Sequence, residues 1–198
     1  MNWLEYEEQA LEQGFQSVCG VDEAGRGPLA GPVCAAAVNF PRGLVIEGVN
    51  DSKKLSEKQR EALFTIITGA ALSYSVAFAT HEEIDKINIL GATFLAMCRA
   101  VEGLDVPADF ALIDGNQRPK GLHIPCRAVV HGDAVSHSVA AASILAKVTR
   151  DRYMRKLDEV YPCYMFAKHK GYGTALHYEK LAEFGPCDIH RRTFLKGF

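Results

Sequence analysis

A chain of 198 residues, 48% hydrophobic and 23% charged, buries one substantial core and leaves little for a second full domain. Its formal net charge of −2 argues against a general nucleic-acid coat, and no apolar run is long enough to span a bilayer. Six cysteines show no Cys-x-x-Cys pair and several sit in apolar runs, which fits free thiols in a reducing compartment better than a disulfide framework or zinc site. The acidic start lacks the basic end and apolar stretch of a secretory signal, so a cytoplasmic location is expected.

Residues 3–13 read as a short amphipathic helix stopped by Gly14. Strands are expected at 16–22 and, rich in Val and Ala, at 32–40. A polar loop at 50–55 carries the adjacent lysines Lys53 and Lys54. Ser56 with Gln59 then makes a capping box for a helix turning Leu63, Ile66 and Ile67 inward. Residues 72–78 alternate with period two and form a third strand. A helix over 88–103 carries Leu90, Phe94, Met97 and Val101 on one face, a stripe expected in the core.

Two buried-type strands follow, at 110–113 and 126–130, and then a long helix over 138–160. Its opening alanines and Ser143 suit close packing on a sheet. A last helix at 174–184 stops at Gly185-Pro186, and the short apolar tail at 193–198 is expected to pack on the core. Strands alternating with helices indicate an α/β layered domain. Charge is unevenly spread: residues 1–146 carry 11 basic and 18 acidic side chains, and residues 147–198 carry 11 and 6. A basic C-terminal quarter beside clustered acids can grip a polyanion while the acids hold metal.

The stretch 18–31 organises the chain. An apolar run reaches Asp22 and Glu23 and breaks into glycines around Arg26. Neighbouring side chains of a strand point to opposite faces, so both acids meet one site only near its end. Two further strands run into Asp114 and Asp133. Ligands of open α/β sheets sit beyond strand ends, and four clustered carboxylates repel one another unless cations lie among them. All-oxygen donors select hard ions such as Mg²⁺ or Mn²⁺.

Six blocks occur in order: Gly-Val-Asp-Glu-Ala-Gly-Arg-Gly-Pro at 20–28, Asn-Asp-Ser-Lys-Lys-Leu-Ser at 50–56, Asp-Gly-Asn at 114–116, Ala-Ala-Ala-Ser-Ile-Leu-Ala-Lys-Val-Thr-Arg-Asp at 140–151, His-Lys-Gly-Tyr at 169–172 and His-Arg-Arg at 190–192. Together they resemble bacterial ribonuclease HII, the type 2 ribonuclease H, over essentially the whole chain. The resemblance implies an α/β ribonuclease H-like fold: a central five-stranded mixed sheet flanked by helices, with a helical C-terminal extension from about residue 160 packed on a single domain, 1–198. It implies an endoribonuclease that cuts the RNA strand of RNA–DNA hybrids; a monomer is expected by default. Such enzymes also nick 5′ to ribonucleotides embedded in duplex DNA, leaving 3′-hydroxyl and 5′-phosphate ends.

Carried over by motif, the catalytic and metal-holding acids are Asp22, Glu23, Asp114 and Asp133, working by two-metal hydrolysis with Mg²⁺ or Mn²⁺. Gly25, Arg26 and Gly27 resemble the segment that reads the 2′-hydroxyl. Tyr172 matches the tyrosine at the RNA–DNA junction. Lys53, Lys147 and Arg150 are candidate contacts to backbone phosphates. Arg191 and Arg192 either fix the C-terminal extension or touch the duplex. Three positions depart from the family pattern: His131 for lysine, Met165 for glycine and Gly173 for proline. They bear on substrate affinity and junction preference, not on the reaction class. The rivals are a catalytically silent hybrid-binding protein, ribonuclease HIII, and a metal-dependent nuclease of other specificity.

Overall fold

The computed structural model describes residues 2–195 and 197. Five strands form one sheet in the order β3-β2-β1-β4-β5. They are β1 (Val18–Ala24), β2 (Val33–Asn39), β3 (Ser73–Ala79), β4 (Phe110–Asp114) and β5 (Cys126–Val129). β2 pairs antiparallel with β1 and β3, while β4 runs parallel to β1 and to β5, so the sheet is mixed as expected.

Every residue of β2 is buried, because both faces of the sheet are covered. With period two, Val33, Ala35 and Ala37 join Cys19 and Val21 of β1 in a core under α3 (His81–Glu102). Cys34, Ala36 and Val38 face the other way, into a core with α2 (Glu57–Ala70) and α4 (His137–Val160). The small side chains of α4 bring that helix onto the sheet. At Gly20 the approach is closest: an added Cβ would stand 2.1 Å from the carbonyl carbon of Ser138 and 2.3 Å from the amide of Val139. Only glycine fits where β1 passes under the start of α4.

The capping box of Ser56 and Gln59 opens α2 as expected. Leu63 and Ile67, one turn apart, are buried, but Ile66 is exposed. Neighbouring residues on a helix differ by about 100°, which takes Ile66 off the apolar face. The expected 88–103 helix is the second part of α3. Asn88 breaks the helix (φ 60, ψ 170), and its side chain accepts from the amides of Leu90 and Gly91, capping the segment that follows. The missed first part begins at a second capping box, Thr80 with Glu83. The stripe expected in the core divides: Met97 and Val101 are buried, whereas Leu90 and Phe94 are only partly covered.

α1 (Glu5–Glu12) packs near the start of β1. Beyond α4, a turn at Pro162–Tyr164, the single-turn α5 (Phe166–His169) and α6 (Ala175–Phe184) gather around Met154, Tyr164, Phe166 and Ile189. This C-terminal segment is stitched to the loop after β1 by Gly31 donating to Ile189 and Arg191 donating to Leu29, at 2.9 and 2.8 Å. In the tail, Phe194 packs against the α3-side core, while Lys196 and Phe198 lie outside the described residues.

Met165, standing where the family pattern has glycine, holds φ 58 and ψ 41. A left-handed conformation costs an ordinary residue about 1–2 kcal/mol, partly offset because glycine loses more chain entropy on folding. Met165→Gly is therefore expected to stabilise the fold by about 0.5–1 kcal/mol, read as a higher urea midpoint at unchanged m-value. A lower midpoint would mean that packing of the methionine outweighs its backbone strain.

Candidate active site

Because β1, β4 and β5 run parallel, their C-terminal ends open at one edge of the sheet. The register sets Val21 beside Ile113 and Asp114 beside Val129. Asp22 and Glu23 thereby come level with Asp114, although the two segments are far apart in sequence. After β5 the chain turns through His131, in left-handed conformation and exposed, into a short 3-10 turn that carries Asp133. The amide of Asp133 donates to Asp114 Oδ1 at 3.4 Å, which ties the two strand ends together. Sheet topology thus gathers all four acids.

Their electrostatics report that proximity. Burial raises the pKa of Asp22 well above the carboxylate range, and the charges of Glu23, Asp114 and Asp133 push it further. Glu23 is raised by burial and Asp114, against the opposing pull of Arg26, whose Nη1 lies 3.4 Å from Glu23 Oε1. Asp133 is raised by burial, Asp114 and Asp51, with Lys53 opposing. Lys53 is reciprocally affected: partial burial works against its charge, but Asp133, Asp51 and Asp22 outweigh it and lift its pKa. Its Nζ lies 3.5 Å from Asp133 Oδ2 on a largely exposed side chain.

The donor set is all carboxylate oxygen, short of positive charge, and fits a hard divalent cation. Among the described residues, however, no three His, Cys, Asp or Glu side chains close around a single point that could hold an ion. The reason is local: Asp22 Oδ1 turns back to the Glu23 amide at 2.6 Å, Asp114 Oδ1 to the Asp133 amide and Asp133 Oδ2 to Lys53. A cation would compete with these donors for the same oxygens. Beside the acids lies a shallow depression lined by Glu23, Arg26, Asp114, Asn116, Leu90 and Phe94. Leu90 lies at this wall, and Phe94 both lines it and packs against the α3-side core.

The glycine segment is held from beneath by arginines. Arg150, expected at a phosphate, is 1% exposed and donates to the carbonyls of Pro32, Lys170 and Ala30 at 2.9, 3.0 and 3.2 Å. It is an internal clamp, buried because those carbonyls supply the partners that a guanidinium needs. Gly25 is glycine for the same reason: it has φ +97, and an added Cβ would stand 2.0 Å from Arg150 Nε. Its freedom serves the arginine beneath it first. Gly27 is more open, with only the Tyr172 ring within 4 Å of an added Cβ.

Arg191 resolves toward structure as well: wholly buried, it donates to the carbonyls of Gly31, Arg26 and Gly25. Arg192 remains exposed, its amide donating to Asp85. Lys147 is half-covered and ion-paired with Asp151 at 2.7 Å, with its Nζ 5.9 Å from the Tyr172 ring centre.

Tyr172 is 39% exposed, beside Gly27 and over Lys147 and Arg150. Its carbonyl meets His177 Nδ1 at 3.0 Å, and His177 Nε2 meets His190 Nε2 at 3.0 Å. Burial keeps both rings neutral, with pKa values lowered to about 4. This support for the tyrosine was not read from the sequence. A His five residues after the tyrosine, in the first turn of α6, carries no signal until His190 is known to lie against it. At Gly173 an added Cβ would approach Tyr178 Oη to 3.1 Å, so a proline there requires Tyr178 to shift by a few tenths of an ångström.

Comparison with known proteins follows the same lines. The ribonuclease HII family profile matches residues 19–196. Ribonuclease HII of Caldicellulosiruptor saccharolyticus is 53% identical over 195 residues, covering 98% of this chain and 95% of the relative. Among solved structures, ribonuclease H2 of Pyrococcus horikoshii OT3 superposes with a TM-score of 0.74 at 32% identity, covering 90% and 93% of the two chains. Bst-RNase HIII in complex with Mn²⁺ gives a TM-score of 0.65 at 18% identity, covering 84% and 70%. The architecture is the ribonuclease H-like fold.

Proposed function

The chain belongs to the ribonuclease HII family and is an endoribonuclease that cleaves the RNA strand of RNA–DNA hybrids, and from that premise we propose that Asp22, Glu23, Asp114 and Asp133 are its catalytic carboxylates. The observation that carries the assignment is the convergence of four acids from three parallel strand ends, where mutual repulsion and burial raise the pKa of three of them. Ribonucleases of this family depend on a divalent metal. The four carboxylates would hold Mg²⁺ or Mn²⁺, which when bound activates water and offsets charge on the leaving 3′-oxygen.

The protein's own groups then do the positioning. Lys53, extended from its loop near Asp133, meets a substrate phosphate, and Lys147 does so beside Tyr172. Arg26, its side chain half exposed and paired with Glu23, edges the acid cluster. Arg191 already engages the carbonyls of Gly25 and Arg26, so the amides of the Gly25 to Gly27 segment are the groups that meet a 2′-hydroxyl. Tyr172, exposed beside Gly27, packs on the deoxyribose at the RNA–DNA junction. We read residues 1–198 as a single catalytic domain with its C-terminal segment packed on it, monomeric and cytoplasmic. Six free cysteines and the lack of any described helix long and apolar enough to cross a membrane support that location.

The test is a labelled DNA duplex carrying one ribonucleotide, incubated with Mg²⁺ or Mn²⁺. A single cut 5′ to the ribonucleotide, leaving 3′-hydroxyl and 5′-phosphate ends, is the expected product. Duplex that is bound but uncut would make the protein a silent hybrid binder.

Junction reading has its own measurement. Contact between an aromatic ring and a nucleotide is commonly worth about 1–3 kcal/mol, or about tenfold to a hundredfold. Tyr172→Ala is expected to lower kcat/KM on a single embedded ribonucleotide by that factor, and on a continuous hybrid by less. Equal losses on both substrates would assign Tyr172 to general packing.

A further inference from the structure

The buried histidines behind Tyr172 form a directed chain. His177 and His190 have no exposed surface, and His169 is nearly as buried. The first two rings are neutral, so each carries one ring proton. The Cys187 amide donates to His190 Nδ1 at 3.0 Å. An amide only donates, which leaves Nδ1 bare and puts the His190 proton on Nε2. From there it points to His177 Nε2, 3.0 Å away. That nitrogen accepts, so His177 carries its own proton on Nδ1 and donates it to the Tyr172 carbonyl at 3.0 Å.

One backbone amide thus fixes both tautomers and the direction of every bond up to the tyrosine. The Cys187 thiol, 3.1 Å from His190 Nδ1, faces the same lone pair. His169 steadies the chain from one side. Its ring stacks on that of His177, with centroids 4.3 Å apart and 18° between the planes, and its Nδ1 accepts from the Gly171 amide at 3.2 Å. The Gly171 carbonyl in turn accepts from the Leu29 amide at 2.8 Å, just beyond the glycine segment. Hydrogen bonds therefore place the backbone around Tyr172 against that segment on one side and against His190 on the other.

Packing alone does not require imidazoles here. Their neighbours include the rings of Phe166 and Tyr164, with centroids 5.2 to 5.8 Å away. Apolar side chains of similar volume would fill the same space without burying polar nitrogen. What the imidazoles add is a donor aimed at one carbonyl. The Tyr172 carbonyl also accepts from the Thr174 amide at 2.8 Å, a bond within its own turn. His177 instead passes the connection on to His190, 13 residues further along the chain.

We propose that His177 and His190 are positioning residues for junction recognition: the chain from the Cys187 amide through both rings sets the peptide of Tyr172, and with it the ring that packs on the deoxyribose. This role rests on Tyr172 being the junction residue. Neither histidine touches substrate or takes part in hydrolysis.

The measurement is a ratio: kcat/KM on a duplex with one embedded ribonucleotide, divided by kcat/KM on a continuous hybrid, both with Mg²⁺ or Mn²⁺. His177→Leu should lower it about threefold to tenfold, and by less than Tyr172→Ala does, because misplacing a contact loses at most what the contact is worth. In a Tyr172→Ala background the same substitution should leave the ratio unchanged, since the ring it positions is gone. Two polar variants at His190 separate a directed chain from simple filling. Glutamine sets an amide N–H near the Nε2 position and should keep the ratio within about twofold of wild type. Asparagine reaches only as far as Nδ1 and should lower it as His177→Leu does. The His190 pair, read well below its melting temperature, decides the matter where His177→Leu does not fold. Unchanged ratios in His177→Leu and His190→Asn, or equal ratios in the two His190 variants, beside a selective loss in Tyr172→Ala would overturn the positioning role alone. Equal losses on both substrates in Tyr172→Ala would remove the junction reading and this role with it.

Discussion

Asp22→Asn is expected to reduce cleavage by on the order of a thousandfold or more, while the metal-free protein melts at the same temperature or higher. Asparagine keeps the volume of a side chain that is 4% exposed, and its carbonyl oxygen can still accept from the Glu23 amide. What disappears is one charge from a buried cluster in which Glu23, Asp114 and Asp133 all oppose it. Relief of that repulsion is worth about 1 kcal/mol, or roughly 2–4 °C for a protein of this size. With Mg²⁺ or Mn²⁺ added, the order should reverse, because an ion that binds only the folded state raises its stability and the variant binds it less well. Calorimetric melts with chelator and with metal, beside kcat/KM on a single-ribonucleotide duplex, make the comparison. Severe destabilisation without metal would make Asp22 a structural residue, and retained turnover would remove it from the catalytic set.

Much of this architecture is legible in sequence because its causes are local. The Ser56–Gln59 box, the alternation of β3 and the apolar runs ending in Asp114 and Asp133 all lie within a few residues of the features they predict. The start of the second part of α3 at Asn88 is legible as well, since the expected helix begins there, whereas the first part, opened by the Thr80–Glu83 box, is not anticipated. Leu90 departs from the expected core for a different reason: it stands at the wall of the cleft, while Phe94 both lines that wall and packs on the core. Periodicity identifies which residues share a helix face, but not whether that face ends in core or at the wall of a cleft.

The arginines mark a harder limit. Arg150 finds its partners 118 and 120 residues back in Pro32 and Ala30, and Arg191 finds its own 160 to 166 residues away. A sequence reading gives both the prior of a surface cation, since charged residues are seldom fully buried. Glu7 behaves alike, buried by serines 129 and 131 residues along the chain. Long-range polar burial leaves no periodic trace, and it is here the device that fixes the glycine segment.

Arg191→Met should therefore cost about 3–5 kcal/mol of stability and, in the protein that remains folded, weaken recognition of the ribonucleotide. Among the described residues no carboxylate forms an ion pair with the guanidinium of Arg191, and Asp85 acts on it only at longer range. Its Nε, Nη1 and Nη2 donate to the carbonyls of Gly31, Arg26 and Gly25 at 2.9, 2.9 and 2.6 Å, while burial and the neighbouring Arg150 lower its pKa to about 9. Charge-assisted bonds of about 1.5–3 kcal/mol each are offset by the desolvation of a lone cation, so the net loss is well below their sum. Methionine fills comparable space but leaves three carbonyls unpaired and the segment from Gly25 to Gly31 untethered. Arg191→Lys presents a point charge in place of a planar fork and should recover part of the stability but little of the positioning. Urea midpoints measure the first effect. The second is read well below the melting temperature as kcat/KM on the single-ribonucleotide duplex, expected to fall about tenfold to a hundredfold. Stabilisation of the same variant by Mn²⁺ should persist, because Arg191 bonds the glycine segment and none of the four acids. A folded Arg191→Met protein with wild-type kcat/KM would show that the glycine segment holds its geometry without the arginine, and the positioning role would pass to Arg150.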